Sequence, residues 1–207
     1  DRPADREVVT HIDRCLSCLA CTTTCPSGVD YMHLVDHARV HIEKTYRRPV
    51  MDRLIRSLLA AVLPYPARFR FALKLAKIGR PLAPFLHKAA ALKPLAAMLE
   101  LAPTSVTAPA VSQPSVTAPV AERRGRVAIL SGCAQPVLDP AINEATVRLL
   151  TRLGIEVVAP KGEGCCGALV HHMGREEQAL PFARRNVDVW MGVLEEGGLD
   201  AIIITAS

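Results

Sequence analysis

Seven cysteines, grouped four, one and two, carry the chemistry legible in this chain. Cys15, Cys18, Cys21 and Cys25 form a C-x2-C-x2-C-x3-C run closed by Pro26. Thiolates at that spacing seat iron–sulfur clusters: three successive sulfurs wrap one cube while the fourth reaches away from it, so a [4Fe–4S] centre is expected. Zinc modules separate two Cys pairs by a longer loop, which sets a zinc knuckle behind this reading. In two-cluster ferredoxin modules the fourth Cys serves the other cube, so Cys15, Cys18 and Cys21 would hold one cluster and Cys25 a second. Only one copy of the run is present and the sequence starts at Asp1, so the chain reads as a fragment whose preceding residues carried a sister motif. A one-cluster site using all four local thiolates is the alternative.

The remaining three cysteines stand far along the chain. Cys133 follows the short β-branched run Arg126–Leu130, and Cys165-Cys166 sit in a loop bounded by Gly162 and Gly167, after the run Ile155–Ala159. In an open parallel sheet, the carboxyl ends of the strands form the ligand crevice, so these three thiols can converge there. Adjacent cysteines bond poorly to each other, which favours metal or redox chemistry over a structural disulfide. Buried, inert cysteines are the competing account.

The elements that must position these thiols follow from periodicity. Tyr31, Leu34, Val35, Ala38 and Ile42 recur at helical spacing, predicting an amphipathic helix over 30–46 that packs over the first cysteine run. His33, His37 and His41 share a face of it and are expected to be surface or packing residues. From Tyr46 to Ala102 the pattern is helical and punctuated by proline, with helices around Leu54–Val62, Phe69–Ile78 and Leu92–Leu101. Arg and Lys are interleaved throughout, so these helices are expected to wrap the first module and meet another subunit, a membrane surface being the lesser expectation. Residues 103–121, rich in Pro, Ser, Thr and Ala with SVTAP repeated at 105–109 and 115–119, are expected to run extended as a tether. Beyond them, strand 126–130, helix 138–153 and strand 155–159 make a βαβ unit. A helix over 174–196, with Ala179, Phe182, Ala183, Val187 and Trp190 inward, leads to a third strand at 201–205.

The predicted fold class is therefore mixed: a helical ferredoxin-type cluster module joined by a Pro-rich linker to a small parallel-sheet α/β domain. The expected boundaries are 1–48 for the cluster module, 49–102 for the helical wrap, 103–122 for the linker and 123–207 for a truncated cysteine-rich domain. The formal charge of +5 is modest, and with aromatics at 4% and no groove-reading motif, no nucleic-acid partner is expected. Apolar stretches break well short of a membrane span. Reduced, iron-ligating thiols suit the cytoplasm, with the inner face of the cytoplasmic membrane as a further site of contact.

The run Cys133 … Cys165-Cys166-Gly167 resembles the cysteine-rich CCG domain shared by heterodisulfide reductase B-type subunits, succinate dehydrogenase E-type subunits, lactate-utilisation proteins and glycolate oxidase iron–sulfur subunits. With CPSGVDYMHLVDHAR, SGCAQPVLDPAINEATVRLLTRLGIEVV, GCCGALVHHMG and the ending IIITAS, the chain is most similar to the glycolate oxidase iron–sulfur subunit family. The resemblance implies an electron-transfer subunit. It takes electrons from FAD-containing dehydrogenase subunits that oxidise a 2-hydroxy acid and relays them through [4Fe–4S] centres to a respiratory electron acceptor. Cys15, Cys18, Cys21 and Cys25 carry over as ferredoxin ligands, and Cys133, Cys165 and Cys166 as ligands of the CCG site. No residue of this chain is implied to be catalytic, since hydride chemistry would belong to the partner's flavin. The family's first ferredoxin motif, the Gly-Cys-Gly beyond Ser207 and a second CCG repeat do not occur in these 207 residues. Two other functions fit the same residues: a heterodisulfide reductase-like subunit whose CCG cluster reduces a disulfide, and a non-catalytic iron–sulfur scaffold.

Overall fold

A computed structural model describes residues 2–103 and 114–205. The first cysteine run lies between short helices. Asp5 caps α1 (Arg6–Asp13) by accepting a hydrogen bond from the Val8 amide at 2.8 Å, satisfying one of the amides a helix start leaves bare. The second helix, α2 (Ala20–Thr24), is a single turn, and Asp30 caps α3 (Tyr31–Thr45) by accepting from the Met32 amide. α1 and α2 both pack on α3, where Val9 and Ile42 are buried. Tyr31 and Leu34, expected on the covered face of α3, are exposed; Arg39 and Ile42 are the residues that face buries.

Proline sets the next helices where the sequence places them. Pro49 precedes α4 (Val50–Val62) and Pro66 opens α5 (Pro66–Gly79), a position where the missing N–H costs nothing. Two 3-10 turns, Arg80–Leu82 and Ala90–Leu92, alternate with α6 (Ala83–Leu86) and α7 (Lys93–Leu101). Phe69 and Leu73 of α5 form one core with Val137, joined by Val62, Leu63, Ala102 and Ala134, so the helical wrap is packed onto the C-terminal unit.

That unit is a four-stranded sheet. Its strands are β1 (Ser115–Thr117), β2 (Gly125–Ile129), β3 (Ile155–Ala159) and β4 (Ala201–Ile203), in the spatial order β1-β3-β2-β4. β2 pairs in parallel with β3, Val127 opposite Val157, and with β4, Ala128 opposite Ile202. Helices α8 (Gln135–Leu138) and α9 (Ala141–Arg152) make the first crossover. The helix expected over 138–153 is α9, which starts after Pro140, and the short α8 precedes it because proline cannot continue the preceding turn. α10 (Ala168–His172) and α11 (Glu176–Gly197) make the second. Val127, Ile129, Val157 and Ala159 form the sheet core under Val147 and Leu150 of α9.

Two expectations are corrected here. The sheet is mixed rather than parallel, because β1 adds an antiparallel edge, Val116 opposite Val158. β1 itself comes from the segment read as a tether. Alternating Ser-Val-Thr suffices for a three-residue edge strand when β3 offers unpaired backbone groups, whatever the composition around it. Residues 104–113, with the first SVTAP copy of that segment, lie outside the described residues. On α11 the buried residues are Ala179, Asn186 and Val193, whereas Ala183 and Val187 are exposed and Phe182 and Trp190 half-buried. A seven-residue stripe, with polar Asn186 at its centre, displaces the wider apolar face.

The cysteine run and the sheet unit meet along a charged seam. Glu43 on α3 pairs with Arg175 at 3.1 Å, Arg48 at 3.6 Å and Arg56 at 3.8 Å. Arg56 also donates to the Met173 carbonyl at 2.8 Å, and Arg70 to that of Pro136 at 3.1 Å. Among the described residues no helix is long and apolar enough to cross a membrane.

Candidate metal centre

Cys15 follows α1 directly, its amide donating to the Ile12 carbonyl; Cys18 and Cys21 are exposed, and Cys25 ends α2. Between them the backbone turns through two left-handed residues that are not glycine, Ser17 (φ 54°) and Leu19 (φ 58°). Such a conformation disfavours side chains with a Cβ and persists where the surroundings hold it. Here Arg39 of α3 does so, donating to the Cys15 carbonyl and to Ser17 Oγ, both at 2.7 Å.

Cys25 has the most developed thiolate environment of the four. The backbone amides of Val29 and Ser27, opposed by burial and then aided by the Tyr31 hydroxyl and the Gly28 amide, hold its thiol below the ordinary range. The same contact raises Tyr31, first through the charge on Cys25 and then through the hydrogen bond itself. Amides pointed at sulfur are how a protein stabilises a thiolate and tunes a cluster bound to it. Tyr31 was legible only as a helix-face residue.

The structure does bring Cys133, Cys165 and Cys166 together at the carboxyl ends of β2 and β3, as the topology requires. Their thiols form a relay. Cys166 hydrogen-bonds to Cys165, which raises Cys166, and Cys165 donates to Cys133, which lowers Cys133 against the opposing effect of burial and raises Cys165. The Gly167 amide donates to Cys165 Sγ at 3.4 Å. Gly167 must be glycine here: its φ is 88° and a Cβ would lie 2.9 Å from the Ala179 carbonyl.

Residues the sequence did not flag set this loop. Asn186, buried on α11, accepts from the Gly164 amide at 2.9 Å and donates to the Cys165 carbonyl at 3.2 Å. Glu163 accepts from the Ser131 amide at 2.9 Å, tying the Cys133 and Cys165 loops together, and lies 3.4 Å from Trp190 Nε1. Polar residues on an apolar helix face, such as Asn186, are the pattern that betrays such a clamp.

All seven thiols are free, and two of the three histidines of α3 are engaged elsewhere, His33 with Asp30 and His41 with the Arg2 carbonyl. Among the described residues no three His, Cys, Asp or Glu side chains are placed to hold one metal ion. A [4Fe–4S] cube takes one thiolate per iron, so its ligands need not meet at a point. The donor set, all sulfur, with amides directed at Cys25, fits such a group in kind.

The comparisons with known proteins agree with the chemistry. Residues 127–207 match the cysteine-rich domain family CCG. The chain is 41% identical over 199 residues to the glycolate oxidase iron-sulfur subunit of Escherichia coli (strain K12), a match covering 95% of this chain and 44% of that protein. It is 28% identical over 210 residues to the probable glycolate oxidase iron-sulfur subunit of Bacillus subtilis (strain 168), covering 98% of this chain and 46% of that protein. A shorter match, 33% over 64 residues, is to lactate utilization protein A of Exiguobacterium sp., covering 31% of this chain and 26% of that protein. The chain thus spans less than half the length of the two glycolate oxidase relatives. No solved structure matches it.

Proposed function

We propose that this chain, which carries a cysteine-rich CCG domain and is similar along nearly its whole length to glycolate oxidase iron–sulfur subunits, is the iron–sulfur part of a glycolate oxidase complex. In this reading FAD-containing partner subunits oxidise the 2-hydroxy acid, and the electrons pass through this chain toward a respiratory acceptor. Bound [4Fe–4S] clusters would supply one-electron transfer. The observation that carries the reading is the pairing of two all-sulfur donor sets in one chain: Cys15, Cys18, Cys21 and Cys25 on one unit, Cys133, Cys165 and Cys166 on the other.

The chain's own residues supply ligation, insulation and docking. Cys15, Cys18 and Cys21 would ligate one centre and Cys25 a second, its thiolate favoured by the amides of Val29 and Ser27. α3 shields the loop from behind. The seam through Glu43 and Arg175 joins the two units that carry the sulfur sets.

Exposed Phe71, Leu75, Ile78 and Phe85, interleaved with Lys74, Lys77 and Lys88 in a stretch free of Asp and Glu from 53 to 99, support a peripheral contact with the inner face of the cytoplasmic membrane. Flotation with anionic vesicles tests it; absence of binding would assign that face to protein.

The relay that leaves Cys133 as the thiol most prone to ionise supports a second reading, reduction of a disulfide at the CCG site. Replacing Cys21 or Cys166 by Ser in the full-length complex separates the two. The electron-carrier reading predicts that either change abolishes transfer from reduced flavin to a quinone or dye. Turnover of a thiol substrate without the flavoprotein would favour the second.

A further inference from the structure

Arg39 is a buried cation whose shortest bonds end on neutral atoms. Its side chain is 8% exposed, and Nη1 and Nη2 donate to Ser17 Oγ and the Cys15 carbonyl, each at 2.7 Å. Among the described residues its nearest carboxylate is Asp36, at 3.8 Å, and that carboxylate is shared with His171 at 3.2 Å and His172 at 3.5 Å. Arg48, the other deeply buried arginine of this unit, shows what compensation looks like: Asp13 takes both its terminal nitrogens, at 2.6 and 3.0 Å, and Asp52 stands at 3.3 Å. A guanidinium taken out of water without a close anion is costly, so a structure that keeps one there has a counter-charge for it. The guanidinium of Arg39 faces the loop that carries Cys15 and Cys18.

We propose that Arg39 is the fixed counter-charge of the iron–sulfur centre held through Cys15, bracketing its ligand loop and raising its reduction potential. This rests on the iron–sulfur function proposed above. Reduction adds one negative charge to the centre, and a neighbouring cation stabilises the reduced form more than the oxidised one, the more so in a site of low dielectric. The bracket is a separate contribution, since the two short bonds hold the left-handed turn at Ser17. Arg39 also lies 3.3 Å from His172 Nδ1 on α10, so the same side chain joins the cysteine loop to the helix that follows Cys165-Cys166. It is a positioning and charge-compensating residue, not a catalytic one.

The test uses the full-length protein, loaded anaerobically with iron and sulfide, and EPR-monitored potentiometry well above the titration range of imidazole. Arg39→Gln is expected to move the midpoint potential of one centre to more negative values. Asp36→Asn, which removes the distant carboxylate, is expected to move it the opposite way. Arg39→Lys, which keeps the charge but cannot make both short bonds at once, should leave it close to wild type. A loaded Arg39→Gln protein with wild-type potentials overturns the proposal, as does Arg39→Lys reproducing the full negative shift. If Arg39→Gln takes up no iron, Asp36→Asn decides: a positive shift upholds the role and an unchanged potential overturns it. A wild-type protein that takes up no iron instead refutes the iron–sulfur function itself.

Discussion

Glu43 and Arg175, 132 positions apart in the chain, lie 3.1 Å apart across the seam between the cysteine run and the sheet unit. Glu43 also faces Arg48 and Arg56, so one carboxylate offsets three guanidinium groups, and Arg175 reaches on to Ser57 Oγ at 3.2 Å. Burial, and then the neighbouring charge of Arg48, holds Arg56 below its ordinary range; Glu43 acts against both. Glu43→Gln is therefore expected to lower stability by about 1–3 kcal/mol, the scale of hydrogen bonds to charged groups. Denaturant unfolding of the full-length protein measures this, and an unchanged midpoint would show that the seam contributes nothing.

A glycine fixes the same seam from the other side. Gly174 has φ of 77°, and a Cβ there would lie 2.3 Å from the Arg39 carbonyl, which is backbone and cannot swing aside. Gly174→Ala should cost about 2 kcal/mol or more, from left-handed strain plus the clash. Gly28→Ala, at φ of 62° with no atom within 4 Å of the added carbon, isolates the strain alone and should cost about half as much. Equal melting temperatures for the two variants would contradict the close approach.

Thiol reactivity follows hydrogen bonding more than exposure. Cys166 is exposed and Cys25 partly so, yet Cys25 is held below the ordinary thiol range and Cys166 above it. Only thiolates alkylate at useful rates, so in metal-free protein the rate at Cys25 should rise at lower pH than the ordinary thiol near 8.5, while Cys166 stays slow to higher pH. Peptide-resolved labelling with iodoacetamide reads both, and Cys166 reacting first at pH 7 would contradict the relay.

Asn186 closes the Cys165 loop from α11 with bonds to both Gly164 and the Cys165 carbonyl. Asn186→Ala leaves those buried backbone groups unpaired and should cost about 1–3 kcal/mol. If the CCG site binds metal, a chelator should also strip iron from it faster than from wild type. Unaltered stability with unaltered chelation kinetics would remove Asn186 from the site's support.

The secondary structure was legible wherever one rule dominated. Tyr31–Thr45 and Ile155–Ala159 lie within a residue of the spans their periodicity predicts, and proline marks the helix starts at Pro49 and Pro66. The convergence of Cys133 with Cys165 and Cys166 followed from parallel topology alone. Long-range pairing escaped the sequence. Nothing local says that Ser115–Thr117 will complete a sheet edge, or that a separate short helix, Gln135–Leu138, precedes the one that Pro140 opens. The charged seam was equally hidden, because Arg39, Arg48 and Arg56 look like any solvated basic residues until α3, α4 and α10 meet. Asn186 defeated the apolar-stripe reading of α11 because its partners are backbone groups 21 and 22 residues away.

In the proposed function these thiols seat iron–sulfur centres that a neighbouring flavoprotein fills with electrons. Iron and acid-labile sulfide analysis of the anaerobically purified full-length complex, with EPR spectra before and after glycolate is added, tests it most directly. The account predicts stoichiometric iron and sulfide, and a reduced-cluster signal generated by glycolate and lost in Cys21→Ser. A complex that oxidises glycolate while this subunit is free of iron would contradict it.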